Sequence, residues 1–173
     1  FTKKLSPVYE SIKKTRKQLD KTKSLISFVG SPWTLAVYML GLKKDKNVLN
    51  FNLLKKKEIE IKVIIEQINE YLCIHLENQI NAGADIVQVF DSWAGLIPNK
   101  DLNDYCYLPN KKIVEFCKEK KTPAICFPRG LNKKYLQFAE KVNPHCLNLD
   151  YEIDPVWAKI NLKNFCLQGG MDP

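Results

Sequence analysis

One short apolar run, followed by an abrupt polar turn, most constrains how this chain can fold. Residues 86–90 read Ile-Val-Gln-Val-Phe, and residues 91–95 read Asp-Ser-Trp-Ala-Gly. A run of this length and composition is typical of a strand covered on both faces in a parallel sheet. We therefore expect a buried strand over 86–90, with Asp91, Ser92 and Trp93 at its carboxyl end, where α/β folds build their sites.

The residues at that strand end have side chains that can bind and orient a ligand. Ser92 has a hydroxyl that donates and accepts, Asp91 has a carboxylate, and Phe90 and Trp93 have flat apolar faces. Gly95 would let a ligand approach the backbone closely. A structural interpretation is also open, in which Asp91 or Ser92 caps the next helix and Trp93 lies in the core.

The rest of the chain alternates predicted helices and strands. Ser6-Pro7 has the pattern of a helix start, and Gly30-Ser31-Pro32 has the same pattern directly after a strand at 25–29. Apolar residues at helical spacing predict a long helix from about Glu58 to Asn81. A further helix is expected to run to about Lys120, interrupted or restarted at Pro109. Strands are expected at 123–127 and 146–149, and helices at 132–142 and 155–162. This order fits either an open doubly wound sheet or part of a (β/α)8 barrel.

Composition predicts one soluble, intracellular domain. Of 173 residues, 45% are hydrophobic, which is enough for one compact core, and neither a membrane span nor a signal peptide is evident. The net charge of +8 favours a polyanionic ligand. Aromatic residues do not interleave with the lysines, so most lysines are interpreted as a solvated surface and nucleic acid is not expected as a partner.

The cysteines and histidines do not predict a metal site. Six cysteines are spread without a Cys-x-x-Cys pair, and this pattern indicates buried free thiols. His145 and Cys146 are adjacent, so in a strand they would face opposite sides of the sheet. No metal site is therefore expected.

Two separate motifs resemble the uroporphyrinogen decarboxylase family. The first is Phe-Asp-Ser-Trp-Ala-Gly at 90–95, preceded by Gly83-Ala84, and the second is Phe-Val-Gly-Ser-Pro-Trp-Thr-Leu-Ala-Val-Tyr-Met at 28–39. The run Leu-Gln-Gly at 167–169 is similar to a third family segment, although Gly170 stands where the family has asparagine. The segment Gly41-Leu42-Lys43-Lys44 departs from the family, which usually has a glutamate and a glycine-rich run after the tyrosine.

The resemblance implies a fold, an activity and a set of site residues. It implies a (β/α)8 TIM barrel that removes the four acetate carboxylates of uroporphyrinogen III to give coproporphyrinogen III and CO2, as a cytoplasmic homodimer without a cofactor. Tyr38 and Ser92 match catalytic and substrate-binding positions, and Phe90 matches an apolar wall against the substrate. Arg129 is a weaker substrate-binding candidate, which could equally form a salt bridge at the rim. Asp91 and Asp150 are weaker catalytic candidates.

Length leads to the expectation of an incomplete barrel. A barrel typically needs about 250 residues, and this chain opens without methionine and stops at Asp172-Pro173 inside a family motif. We therefore expect residues 1–173 to form a single, incomplete domain. The family's N-terminal aspartate and arginine segments and its C-terminal histidine segment are not matched in this sequence, so the chain alone is expected to be inactive.

Two other functions remain open at this point. One is a zinc-dependent corrinoid or thiol methyltransferase of the same barrel superfamily, which would need a His-x-Cys pair that His145-Cys146 does not provide. The other is a non-catalytic remnant that still binds porphyrinogen.

Overall fold

Helices and strands alternate through the part of the chain that the computed structural model describes, residues 1–45 and 48–171. The helices are α1 (Thr2–Gln18), α2 (Pro32–Met39), α3 (Phe51–Lys56), α4 (Glu58–Asn81), α5 (Leu108–Glu119), α6 (Tyr135–Val142) and α7 (Pro155–Asn161). The strands are β1 (Ile26–Gly30), β2 (Lys43–Asp45), β3 (Val48–Leu49), β4 (Ile86–Asp91), β5 (Ala124–Pro128), β6 (Cys146–Leu149) and β7 (Cys166–Gly169). Short 3-10 turns cover Ala94–Leu96, Asn99–Asp101 and Asn132–Lys134, and a π-helical turn covers Asn103–Tyr107.

Five strands form one parallel sheet in the order β1-β4-β5-β6-β7, and β2 pairs with β3 in a separate antiparallel hairpin. Within this sheet, the five strands lie side by side in the order in which they occur along the chain. A doubly wound sheet reverses its strand order at a switch point, whereas a barrel adds each new strand on the same side. The topology therefore selects an arc of a barrel from the two expected architectures.

The helices cover one face of this sheet. The residues of the sheet that face them are Val29, Val87, Val89, Ala124, Cys126 and Leu147, all buried. Helix α4 has the predicted bounds, and Ile61 and Leu76 of its apolar stripe are fully buried. Trp33 of α2 is also fully buried, stacked on Tyr105 with ring centroids 5.0 Å apart. The core thus lies between sheet and helices.

The opposite face of the sheet, called here the inner face, is open. Phe28 on this face is 66% exposed and Ile26 is 44% exposed. The rings of Phe28 and Phe90 meet edge to face at 5.8 Å, and those of Phe90 and Phe127 at 6.1 Å. An aromatic row therefore crosses three adjacent strands on the side without helices. The strand expected to be covered on both faces, β4, has no exposed residue, although Ile86 and Phe90 on its inner face are only half-buried.

The predicted helix start at Ser6-Pro7 is also wrong, because α1 begins at Thr2 and contains Pro7. Proline lacks the N–H that would bond to the carbonyl of Lys3. The Ser6 hydroxyl donates to that carbonyl instead, at 3.0 Å. The same pattern is confirmed at α2, where Ser31 Oγ accepts the N–H of Thr34 at 3.0 Å and proline follows the cap.

All six cysteines are free thiols. Cys106, Cys117, Cys126 and Cys146 are buried as expected, but Cys73 is only partly buried and Cys166 is exposed. Cys166 is exposed at the open edge of the sheet, since β7 has a strand neighbour on one side alone within the described sheet. Helices in the described ranges include none long and apolar enough to cross a membrane.

Both histidines hold hydrogen bonds that need a neutral ring. Gln79 Nε2 donates to His75 Nε2 at 2.7 Å, and the backbone N–H of Ala124 donates to His145 Nδ1 at 3.1 Å. Burial lowers the pKa of each imidazole, and Lys118 lowers that of His145 further. The folded chain therefore binds protons less readily at these positions than the unfolded chain does.

We expect the free energy of unfolding to decrease as the pH falls through about 6.5, the pKa of an unperturbed imidazole. Below that value the unfolded state gains protons first, so the stability present above it is lost. Urea unfolding at about pH 7.5 and about pH 5.5 measures the difference. The double variant His75→Gln, His145→Gln should show a smaller loss; an equal loss would assign the acid sensitivity to carboxylates instead.

Candidate active site at the carboxyl ends of the strands

Backbone hydrogen bonds align the segments at the carboxyl end of the sheet. The N–H of Ser31 donates to the Phe90 carbonyl at 2.8 Å, and the N–H of Arg129 donates to the Asp91 carbonyl at 3.1 Å. The N–H of Gly95 donates to the Arg129 carbonyl at 2.9 Å. The loops that follow β4 and β5 are therefore joined directly.

Ser92 and Arg129 line the same cleft. This cleft has a volume of about 200 Å³ and is lined by Ser92, Trp93, Gly95, Leu96, Arg129 and Gly130. Arg129 is exposed and also lines a neighbouring cleft of about 500 Å³ with Phe127, Asn148, Asp150 and Tyr151 among others. A guanidinium group beside a serine hydroxyl is an arrangement that can bind a carboxylate. The structure thus brings together two of the predicted site residues.

Gly95 has a structural role that the sequence did not predict. A Cβ atom at this position would lie 2.6 Å from the carbonyl oxygen of Gly130 and 2.8 Å from its Cα. Gly130 itself has a positive φ of +80°. The close approach at Gly95 is therefore made by the neighbouring loop. Gly95 is also exposed and lines the cleft, and ligand approach to its backbone stays a prediction.

Asp91 is a buried hydrogen-bond acceptor rather than a helix cap. Thr34 Oγ1 donates to its Oδ1 at 3.0 Å, and Asn110 Nδ2 donates to its Oδ2 at 2.9 Å. Burial raises the pKa of this carboxyl, while hydrogen bonds from Ser31, Asn110 and Thr34 act in the opposite direction. Its contacts join the end of β4 to α2 and α5, which indicates a positioning role.

Asp150, which directly follows β6, has a comparable role. Its Oδ2 accepts the backbone N–H of Gly130 at 2.7 Å and the hydroxyl of Tyr135 at 3.1 Å. Burial and the Asp150 carboxylate raise the pKa of Tyr135. These bonds fix the loop that carries Arg129, so the structure favours positioning over catalysis for Asp150.

Tyr38 lies beside this cleft, in the last turn of α2. Its side chain is 60% exposed, and its ring meets the Trp93 indole edge to face at 6.0 Å. Trp33 Nε1 donates to the Trp93 carbonyl at 3.1 Å, which ties the residue after Ser92 to α2. Trp93 is partly buried and packs against the core, and it also lines the cleft. Its predicted place in the core and its predicted place at the site are therefore compatible.

Phe90 lies at the centre of the aromatic row on the inner face, as expected for an apolar wall. Sequence reasoning missed its neighbours Phe28 and Phe127. Phe127 could have been found, because it occupies the same position in its strand as Phe90 does and the two are register partners. Phe28 could not, because its register partner in β4 is Gln88 and its ring meets Phe90 only diagonally across the two strands.

Three amide side chains form a second group on the inner face that the sequence did not predict. Gln168 Nε2 donates to Asn148 Oδ1 at 2.9 Å and to Gln88 Oε1 at 3.4 Å. They come from β7, β6 and β4. The inner face therefore combines an aromatic row with hydrogen-bonded amides, and both are available to a ligand that enters from the open side.

A parallel sheet in chain order, with helices on one face and a polar site at the carboxyl ends, defines the chain as part of a (β/α)8-barrel protein. A solved structure of a methyltransferase from Methanosarcina mazei has the same fold, with a TM-score of 0.70 over 92% of this chain and 46% of that protein, at 15% sequence identity. This likeness concerns the fold alone.

The sequence profile of the uroporphyrinogen decarboxylase family matches residues 1–173. Curated uroporphyrinogen decarboxylases from Orientia tsutsugamushi (strain Ikeda), Cereibacter sphaeroides and Wolbachia pipientis are 40%, 35% and 40% identical, each over 98% of this chain. The chain belongs to the uroporphyrinogen decarboxylase family. It spans about half the length of these relatives, 51%, 51% and 50% respectively.

Replacing Asp91 with alanine should lower the free energy of unfolding by about 1–3 kcal/mol, because the buried Thr34 hydroxyl and Asn110 amide lose their acceptor. Asp104→Ala is the matched control, since this exposed carboxylate pairs with Lys62 and should contribute at most about 1 kcal/mol. Chemical denaturation of both variants measures the difference. Equal losses would contradict the role assigned to Asp91.

Proposed function

We propose that this chain provides part of the substrate site of a uroporphyrinogen decarboxylase, which converts uroporphyrinogen III to coproporphyrinogen III and CO2. The observation that carries the proposal is the cleft shared by Ser92 and Arg129. Trp93 in this cleft contacts Tyr38, and Arg129 also lines the neighbouring cleft with Phe127 of the aromatic row. Family membership supports the same assignment. The substrate is a polycarboxylate tetrapyrrole whose four pyrrole rings are joined by methylene bridges, so it needs both apolar contacts and carboxylate partners.

The reaction must accept the electron pair that remains when CO2 leaves an acetate arm. Protonation of the adjacent pyrrole makes a cationic ring that accepts those electrons. A second proton then takes the place of the lost carboxylate, and the proton added to the ring leaves, which restores the pyrrole. In this proposal the Ser92 hydroxyl donates to a substrate carboxylate, and the Arg129 guanidinium binds another. The Tyr38 phenol donates a hydrogen bond near the reacting pyrrole, which orients it for proton transfer.

Phe90 supplies the apolar wall, together with Phe28 and Phe127. An apolar wall excludes water, and electrostatic interactions with the cationic ring are stronger where water is excluded. The inner face of these 173 residues is open, with Phe28 66% exposed. We therefore propose that residues 1–173 act as one domain that binds substrate, and that decarboxylation requires further groups covering this face.

The zinc methyltransferase alternative receives no specific support from the site. His145 Nδ1 already accepts the N–H of Ala124, and this bond holds the ring against β5. The likeness to a methyltransferase structure stays at the level of the fold. We further propose, from the family resemblance, that the enzyme acts as a cytoplasmic homodimer.

Turnover tests the proposal directly. The 173-residue chain should bind uroporphyrinogen but release no CO2, because its inner face is open to water. A chimera in which this chain replaces the matching segment of the Orientia tsutsugamushi relative should form coproporphyrinogen. A folded chimera that binds uroporphyrinogen without forming product would instead assign the chain to a non-catalytic, porphyrinogen-binding role.

Two serines at neighbouring positions separate function from stability. In the chimera, Ser92→Ala should lower the rate of CO2 release about 10- to 100-fold, the range expected when a hydrogen bond to a charged group is lost, with little change in melting temperature. Ser31→Ala should instead cost about 1 kcal/mol of stability, because Ser31 caps α2. Product formation and thermal unfolding are measured on both variants. A parallel loss of rate and stability in Ser92→Ala would assign Ser92 a structural role.

A further inference from the structure

Lys43 is held over the indole ring of Trp93. Its Nζ lies 4.6 Å from the ring centroid, which is a cation–π distance. The preceding residue, Leu42, is fully buried, and its N–H donates to the Val37 carbonyl at 3.0 Å. The N–H of Asn50 donates to the Leu42 carbonyl at 2.7 Å. The backbone that carries Lys43 is therefore anchored on the core at both sides of the hairpin.

The Trp93 indole connects Lys43 to the candidate active site. The Tyr38 ring meets the same indole at 6.0 Å, and Trp93 lines the cleft that contains Ser92 and Arg129. Lys43 and Tyr38 thus contact the same indole ring, which belongs to the residue that follows Ser92. Arg129 brings a second positive charge to the cleft that this indole lines.

Neither cation is neutralised within the described structure. Among the side chains that the structure describes, no carboxylate lies within salt-bridge distance of Lys43 or Arg129. Other lysines of the described chain do have such partners, as Lys62 does with Glu58 and Asp104. An ammonium packed on an indole has lost part of its hydration, so a carboxylate can bind it with a smaller desolvation cost.

We infer that Lys43 is an additional substrate-binding residue, which binds a carboxylate arm of the tetrapyrrole alongside Ser92 and Arg129. The inference rests on the proposed function and extends it. Lys43 lies in Gly41-Leu42-Lys43-Lys44, the segment in which this sequence departs from the family pattern. Its binding energy comes from charge, and it therefore decreases with added salt.

The test measures binding of uroporphyrin, the fluorescent oxidised form of the substrate macrocycle, to the 173-residue chain. Lys43→Gln should raise the dissociation constant about two- to fivefold, the effect of one partly exposed charge pair, and should reduce its dependence on salt. Lys43→Arg should restore binding. Lys21→Gln is the matched control, because it gives the same net charge. This exposed lysine precedes β1, toward the amino-terminal end of the strand, whereas the candidate site lies at the carboxyl end.

A second ligand distinguishes which arm Lys43 contacts. Coproporphyrin retains the propionate carboxylates and lacks the acetates. A loss with uroporphyrin alone supports contact with an acetate, and a loss with both supports contact with a propionate. Equal dissociation constants for Lys43→Gln and Lys21→Gln with both ligands would overturn the inference while leaving the proposed function standing. Failure of the unmodified chain to bind either porphyrin would overturn both.

Discussion

The buried carboxylate of Asp91 is the interaction on which the site depends. It lies at the last position of β4, accepts the Thr34 hydroxyl from α2 and accepts the Asn110 amide from α5. Burying a carboxylate is unfavourable unless its oxygens are hydrogen-bonded, and here both are. The pairing holds α2, and with it Tyr38, at a fixed position relative to Ser92. Geometry at the exposed cleft is thus determined by polar contacts beneath it.

The two faces of the sheet differ in burial and in composition. The face against the helices is a packed apolar core, with Val87, Val89 and Cys126 fully buried. The inner face carries the aromatic row and the hydrogen-bonded amides, and it is open. The chain spans about half the length of its relatives, and we propose that it supplies the carboxyl-end cleft and the aromatic row of the substrate site. This division explains why binding and turnover are expected to separate in the 173-residue chain.

Local sequence patterns predicted the elements well wherever one signal dominated. The α4 stripe, the Ser31-Pro32 cap and strand β6 have the expected bounds or geometry. Ser6-Pro7 failed, because the same dipeptide fits inside a helix when the serine hydroxyl bonds to the carbonyl that proline leaves unpaired. The choice between the two sheet topologies needed the strand order, which no local pattern encodes.

The sequence indicated which residues are candidates for the site, but it did not indicate which residues they contact. Family motifs identified Tyr38, Ser92 and Phe90, and the strand ends identified Arg129. Contacts between distant segments could not be predicted, because each depends on how loops pack: Gly95 against Gly130, Thr34 against Asp91, and Lys43 against Trp93. The Lys43 contact also comes from a hairpin that the sequence left undetermined.

A crystal structure of the 173-residue chain with uroporphyrin bound would show where the macrocycle lies. We expect it on the inner face against Phe90, at the carboxyl ends of the strands, with a carboxylate about 2.5–3.0 Å from the Ser92 hydroxyl oxygen. A macrocycle bound elsewhere on the chain, with the Ser92 and Arg129 cleft empty, would contradict this expectation.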